Sequence, residues 1–476
     1  MKTAKTLVKN TSILFASQIL AYFIGIIYLI NVARYLGAEN YGVLALALAL
    51  TGIFSVFVDL GLASLTVREV SKKKDLANMY LGNSLIIKSF FSLITLILVY
   101  YIVNFLNYPK ETAEVIYWIT LFVIFNSFSQ SIYAIFQTYQ KMEYQSLGII
   151  LNSILMFIGV TGLIFLQKDL MTFAMLYAMI SLIIFFICLI ICILKFTKPK
   201  ITINVHIWKN LLRNSLPLGL ISIFVVLFIR IDTIMLSKMA SEMAVGWYNA
   251  SVTLVQSLSF ITSAVVVSVF PLFSELYGKS QKNNFELLFR KTFHYIALIS
   301  IPIGVGTTIL ADKIIILLFG FEYSNSIIVL QIIVWWYVIG SFSWIIGTVL
   351  NATNKQRIFL IFSGIALIFN IILNLILIPK FSYIGASITT ILTEILLFCL
   401  LFFRFPYDMY VPNLTKIVIK PILASIVMGI CIYLFKDFNI ILVVGLGIII
   451  YVTTLIIIKG INNEDFDLLR NLFKKI

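Results

Sequence analysis

Apolar runs of 20 or more residues recur from one end of the chain to the other, separated by short charged breaks. Such a run can cross a bilayer core roughly 30 Å thick as a helix. No water is present there to bond the backbone, so only helices and closed barrels span it. Barrel strands alternate apolar and polar residues over about ten positions, and these runs do not alternate. Hydrophobic residues make up 61% of the 476 and charged residues 12%, where soluble proteins carry about 45–50% and about 25%. The chain is expected to be an all-α integral membrane protein.

Fourteen spans are expected. They lie near residues 11–34, 41–67, 80–106, 113–139, 145–166, 171–194, 213–237, 244–272, 285–310, 325–350, 356–378, 383–405, 413–435 and 438–458. Asn107-Tyr-Pro109, Lys168-Asp169 and Ile378-Pro379-Lys380 mark three boundaries. Loop lysines and arginines set the orientation. With the N-terminus in the cytoplasm, inside segments hold 26 of them and outside segments 7, leaving Lys88 and Arg230 within spans. That asymmetry predicts a multi-pass protein of the cell membrane with both termini cytoplasmic. It also absorbs most of the net charge of +15, which on a soluble chain would suggest nucleic-acid binding. Lys2, Lys5 and Lys9 precede the first run as in a signal peptide, but that run is too long and lacks a small-residue cleavage site. It is expected to stay as the first span. Cys188, Cys192, Cys399 and Cys431 fall inside apolar runs without a neighbouring His or carboxylate, so they read as packing residues and no metal is expected.

The chain repeats weakly at an offset of about 204 residues. Lys9-Asn10 then falls on Arg213-Asn214, and Tyr41-Gly42 on Val245-Gly246. Six spans per unit is an even number, so both units enter from the same side, a parallel repeat. The expected organisation is an N-lobe over 1–195, a cytoplasmic linker over 196–212, a C-lobe over 213–406, and two further spans with a cytoplasmic tail over 407–476. No loop is long enough for a soluble catalytic domain, and no GxxxxGK[ST] motif occurs. ATP hydrolysis is therefore not expected.

Tyr35-Leu-Gly-Ala-Glu-Asn-Tyr-Gly-Val43, Asp59-Leu-Gly-Leu62 and Val67-Arg-Glu-Val70 form one set of motifs around the second span. Ser215-Leu-Pro217, Arg230-Ile-Asp232 and Ala244-Val-Gly-Trp-Tyr248 form another at the start of the second unit. Together they resemble the polysaccharide-exporting flippases, the O-antigen-type lipid-linked oligosaccharide flippases of the multidrug/oligosaccharidyl-lipid/polysaccharide exporter superfamily. The resemblance runs the full length, including the span count. It implies two six-helix lobes in a V and alternating access. It also implies movement of a polyprenyl-(pyro)phosphate-linked glycan from the cytoplasmic to the outer leaflet, for cell-surface polysaccharide synthesis.

Charges inside a span are costly and mark sites. Arg230 and Asp232, two residues apart, are about 200° apart on a helix, so they cannot share a face. Arg230 is the first candidate for the substrate phosphate, which guanidinium binds through paired hydrogen bonds; the alternative is a buried ion pair fixing the packing. Lys88, able to snorkel toward the headgroups, and Arg34, otherwise an interface anchor, complete the cationic set. Asn126, Gln130 and Gln137, with Tyr133, share a face of the fourth span. They suit sugar hydroxyls, although amides also join helices in membranes. Thr51, Ser55 and Asp59 form a polar stripe on the second span. Asp59, Asp232, Glu394 and His294 are the candidates for a coupling proton or cation, with Asp59 also placed to pair with Lys88. No cofactor is expected beyond a proton or sodium ion. The expected partners are membrane lipids and the lipid-linked glycan, with glycan-assembly enzymes as further associates and a monomeric state. The competing readings are a cation-coupled drug or small-molecule antiporter of the same superfamily and, more remotely, a membrane glycosyltransferase or polymerase. The last would need acidic or sugar-nucleotide motifs in a sizeable loop, and none occurs.

Overall fold

The computed structural model describes residues 2–200, 205–404 and 414–460. Residues 201–204 of the expected linker, the segment 405–413 and the expected tail from 461 onward lie outside the described residues. Among the described residues the regular structure is helical throughout. The helices are α1 (Lys2–Asp59), α2 (Leu62–Val70), α3 (Ala77–Phe105), α4 (Lys110–Thr138), α5 (Met142–Phe165) and α6 (Leu170–Lys195). They continue as α7 (Val205–Met239), α8 (Glu242–Gly278), α9 (Lys282–Phe319), α10 (Ser326–Ala352), α11 (Gln356–Phe403), α12 (Leu414–Leu434) and α13 (Ile440–Ile457).

Eleven of the described helices are long and apolar enough to cross a membrane. Two of these are too long to cross once. A straight helix of 58 residues, the length of α1, would run about 87 Å at about 1.5 Å per residue. Instead α1 breaks at Gly37 (φ 75°, ψ 171°), a conformation that glycine alone adopts without strain. The 48 residues of α11 break at Ser382, three residues after Pro379, which removes a backbone donor. Each supplies two crossings, and α7 brings the total to about fourteen.

Two boundaries differ from expectation. The second span was expected to continue through residue 67, but α1 stops at Asp59. Leu60 (φ 45°) and Gly61 (φ 76°) turn the chain before α2 starts. The seventh span was expected from 213, but α7 begins at Val205. Leu211 packs with Leu62, Leu65 and Ile87, and Trp208 Nε1 donates to Asn83 Oδ1 at 2.8 Å. Apolar burial thus carries the helix into a stretch that the loop charges marked as linker.

Short loops need helix ends that satisfy their own carbonyls. Six ends carry a non-glycine residue at positive φ: Asn107, Gln140, Gln167, Ser280, Asn354 and Lys459. In each case the next residue's N–H reaches back five positions, as Tyr108 does to Val103 O at 3.3 Å and Lys355 to Leu350 O at 2.7 Å. This is the Schellman closure. At the other kind of end, Asp169 caps α6 by accepting from Thr172. The Thr172 hydroxyl bond holds its carboxyl below the usual carboxylate range.

The chain divides into two compact units, residues 1–250 with Asn374–Tyr383, and Ser251–Leu373 with residues 384–476. In the first, α1 packs on α4, α5 and α7, α4 on α6, and α2 on α4 and α7. In the second, α9 packs on α10 and α12, and α12 on α13. Leu310, Ala424, Met428, Ile432, Val443, Tyr451 and Leu455 form a core there, so the two helices beyond the repeat are fastened by apolar burial. The packing division leaves α7 and the first turns of α8 with the first unit, whereas the sequence repeat restarts at α7.

Candidate functional site

The charged motif of α7 points two ways. Asp232 is turned inward and is 4% exposed. Its Oδ2 accepts from the Tyr248 hydroxyl of α8 at 3.0 Å, and its Oδ1 accepts from Asn374 Nδ2 of α11 at 2.6 Å. Beside it, Thr233 Oγ1 donates to Asn249 Oδ1 at 3.2 Å, and Asn249 Nδ2 to Val245 O at 2.9 Å. These bonds join three helices of the first unit around one carboxylate. The phenol and the amide are both neutral donors. In a low-dielectric interior such donors replace the hydration shell that burial removes.

Arg230 has a different environment. It is half-buried, and its Nε faces Gly52 across α1, 4.0 Å from where a Cβ on that glycine would sit. The phenols of Tyr22 and Tyr41 lie within electrostatic reach of the guanidinium. Tyr41 is buried and Tyr22 is 48% exposed. Among the described residues, no carboxylate pairs with Arg230. A guanidinium carries five N–H donors, and this one lies between a small residue and an open tyrosine without a carboxylate partner among the described residues.

Lys88 and Asp59 find each other. The ammonium is fully enclosed and lies 2.7 Å from Asp59 Oδ1. It also donates to Ser127 O of α4 at 2.6 Å. Asp59 Oδ2 accepts from the Gly61 N–H at 3.1 Å, so the carboxylate closes the turn between α1 and α2 as well. Lys88 was expected as an inward-facing phosphate contact with room to snorkel. Here it has no exposed surface, because its stem and head are spent on joining α1, α3 and α4. Of the expected polar stripe next to it, Thr51 is buried while Ser55 and Asp59 are half-buried. Thr51 donates to Ala47 O at 2.7 Å and Ser55 to Gly52 O at 2.6 Å, and Asp59 terminates the helix instead of lining it.

The amide face of α4 splits. Asn126 and Gln130 are exposed, and Gln130 Nε2 is 3.5 Å from Asn126 Oδ1. Gln137 donates to Gln145 Oε1 of α5 at 3.1 Å. Tyr133 is buried, with its hydroxyl against Gly148. Only the first two amides present open polar groups, and Gln137 joins helices. Arg34 is exposed, just before the break at Gly37. In the second unit Glu394 is enclosed, facing Gly340, with Ser343 and Trp336 alongside. His294 Nε2 is 3.0 Å from Gly460 O, a bond between α9 and the chain just past α13.

Reasoning on the sequence missed Tyr248, Asn374, Tyr22 and Tyr41 as neighbours of the charged motif. Asn370 and Asn374 carried a signal, two amides one turn apart inside the apolar eleventh span. Tyr41 and Tyr248 stood inside the motifs of the two repeats, but nothing in the sequence placed them beside Arg230 or Asp232, and Tyr22 was one of 23 tyrosines.

The family model for polysaccharide biosynthesis proteins matches residues 7–277. The chain belongs to that family. A second model, MatE, matches residues 217–376. The capsular polysaccharide biosynthesis protein CapF of Staphylococcus aureus is 25% identical over 82% of this chain and 96% of its own length. An uncharacterized membrane protein of Methanocaldococcus jannaschii is 29% identical over 41% of this chain. The probable low-salt glycan biosynthesis flippase Agl15 of Haloferax volcanii is 26% identical over 34%. The matches span only 39% and 34% of those last two proteins. Among solved structures, the lipid II flippase MurJ in an inward closed conformation has the same fold, with a TM-score of 0.76 over 94% of this chain and 98% of that one, at 19% identity. An inward-facing multidrug transporter of the MATE family scores 0.65 over 81% and 94%, at 15% identity. This family member thus has the all-helical fold of the superfamily that the motifs around Gly42 and Gly246 suggested.

Proposed function

We propose that this protein is a flippase carrying a polyprenyl-(pyro)phosphate-linked oligosaccharide from the cytoplasmic to the outer leaflet, for cell-surface polysaccharide synthesis. It acts as a transporter and not as an enzyme. Family membership supports the reading, as do the names of CapF, Agl15 and MurJ. The observation that carries it is Arg230, an intramembrane guanidinium without a carboxylate partner among the described residues, beside an open tyrosine. Its role is to hold the substrate phosphate. The exposed amides Asn126 and Gln130 are proposed to meet sugar hydroxyls, and Arg34 to meet the headgroup at the outer end of the first span, just before the break of α1 at Gly37.

The loop-charge asymmetry supports placing both termini in the cytoplasm and the protein in the cell membrane. The drive is proposed to be a proton or sodium gradient, since one charge moved through about 100 mV contributes about 2.3 kcal/mol. Asp232 and Glu394, both enclosed, are the groups proposed to take the coupling ion. His294 is less suited, being engaged with Gly460. The working state is proposed to be a monomer, with glycan-assembly enzymes as neighbours.

Reconstitution in liposomes with labelled lipid-linked sugars tests the reading. Transport by the wild type that collapses in Arg230→Ala supports it. Equal rates would remove Arg230 from the mechanism, and no movement of any such lipid would remove the flippase. The MatE match over 217–376 favours one second reading, a drug antiporter. Efflux of small organic cations from proteoliposomes with no movement of lipid-linked sugar would establish it instead.

A further inference from the structure

The repeat offset and the packing meet at one crossing. A Cβ built on Gly42 would collide with the backbone carbonyl of Glu242, and a Cβ built on Gly246 with the carbonyl of Ala38. The Gly42 Cβ would also come within 2.9 Å of the Gly246 backbone nitrogen. The offset of 204 maps Gly42 onto Gly246 and Ala38 onto Glu242. Each repeat therefore presses the same glycine onto the same carbonyl of the other, as a two-fold axis requires. The colliding atoms are backbone, so no rotamer change relieves the clash. Contacts of this kind let transmembrane helices approach to Cα–H···O distance.

Two features set the crossing apart from ordinary helix packing. Gly37 breaks α1 five residues before Gly42, and the chain turns between α7 and α8 just ahead of Gly246. Both helices thus reach the contact at their starts, next to a bend. Neighbouring segments fasten both partners: on the α1 side the Tyr35 hydroxyl donates to Lys168 O at 3.0 Å. Glu242 Oε1 accepts from Thr112 at 2.9 Å, Lys238 donates to Leu106 O at 2.6 Å, and the Lys238 ammonium lies 3.3 Å from the Tyr108 ring centroid. Ser237 and Tyr108 join their hydroxyls at 2.9 Å. The α8 side is thereby anchored to the α3–α4 turn, and the α1 side to the turn between α5 and α6, just ahead of the break at Gly37.

We infer that Gly42 and Gly246 are positioning residues of the transport cycle, forming the contact through which the two repeats close on each other at this end and from which they part. The inference rests on the flippase reading for the cycle and on the proposed orientation for calling this end the outer one. The contact itself depends on neither. Two consequences follow from its symmetry. Alanine at either glycine should have the same effect, and alanine at both should add little, because one methyl already separates the backbones.

Spin labels at Glu39→Cys and Ser241→Cys, both exposed positions beside the crossing, report the separation when the four native cysteines are replaced. With both glycines native, the distance distribution should hold a dominant short population. Gly42→Ala, Gly246→Ala and the double variant should each lose it to a longer one, and to the same extent. An unchanged distribution in a folded alanine variant overturns the inference, as does an additive double variant. If the alanine variants do not fold, a cleavable bis-maleimide joining the two introduced thiols in the glycine-native protein replaces them. It should stop movement of labelled lipid-linked sugar, and cleavage should restore it. Undiminished movement by the cross-linked protein overturns the inference. If the labels respond as expected but the wild type moves no such lipid, the contact stands and the flippase reading falls.

Discussion

The first unit holds two cationic centres inside the membrane, and they are built in opposite ways. Lys88 is fully enclosed, 2.7 Å from Asp59, with a second bond to Ser127 O. Arg230 is half-buried, faces a glycine, and pairs with no carboxylate among the described residues. From sequence both were intramembrane cations and candidates for the substrate phosphate, with Arg230 placed first and Lys88 within reach of Asp59. The difference teaches that an intramembrane charge marks function when its partner is missing, and architecture when its partner is present. Lys88 has closed its coordination within the protein. Arg230 has no carboxylate partner among the described residues, which is why the substrate phosphate is proposed to supply one.

The largest expected effect comes from breaking the closed centre. Lys88→Met should leave a partly buried Asp59 without its counter-charge. Losing one partner of a buried pair costs about 3–5 kcal/mol. Asp59 keeps some solvent, its side chain being 30% exposed, so the lower end of that range applies. Thermal unfolding in detergent should show the loss. Adding Asp59→Asn should return most of the stability, and the double variant should still move lipid-linked sugar in liposomes. A stable double variant that moves none would make the pair functional and dissolve the contrast.

Arg230→Ala should do the reverse. Stability should stay within about 0.5 kcal/mol of the wild type, because no ion pair is lost. Transport of the lipid-linked sugar should fall about 10–100-fold, the equivalent of a charged hydrogen bond worth about 1.5–3 kcal/mol. Arg230→Lys should fall between them, since an ammonium keeps the charge and loses the planar fork. An arginine variant as unstable as Lys88→Met would place both centres in the architecture.

Why the sequence separated these centres poorly can be argued from the same residues. Span lengths, loop charges and the offset of 204 follow from bilayer thickness and topology, which act on every residue of a run. The all-helical fold and the break between the spans ending at 34 and starting at 41 were therefore legible in outline; the offset made Gly42 and Gly246 equivalent positions, but did not show that they meet. Side-chain pairing depends on which helices are neighbours and on a rotation of a few tens of degrees. Asp59 with Lys88 was readable as a possibility because their depths match. Asp232 with Asn374 was not, since 142 residues separate them. The end of α1 at Asp59 was also hidden, because the apolar run continues past the Leu60-Gly61 turn and periodicity does not register two left-handed residues.

The smallest expected effect concerns the member of the α7 motif that faces inward. Asp232 shares a helix with Arg230 but resembles Lys88 in having its bonds made within the protein. Tyr248→Phe removes one donor, the hydroxyl at 3.0 Å, and leaves the ring. A hydrogen bond to a charged group contributes about 1.5–3 kcal/mol, and a neutral one about 1. The loss in unfolding free energy therefore reports the charge state of Asp232. A cost near the upper range at neutral pH means a carboxylate. A cost near 1 kcal/mol means a neutral acid, and in that case the cost should rise as the pH is raised and the acid ionises. If a coupling ion binds there, the cost should also change between sodium-containing and sodium-free buffer. A cost indifferent to both pH and sodium would make Asp232 a second closed centre, leaving Arg230 as the sole functional charge of α7.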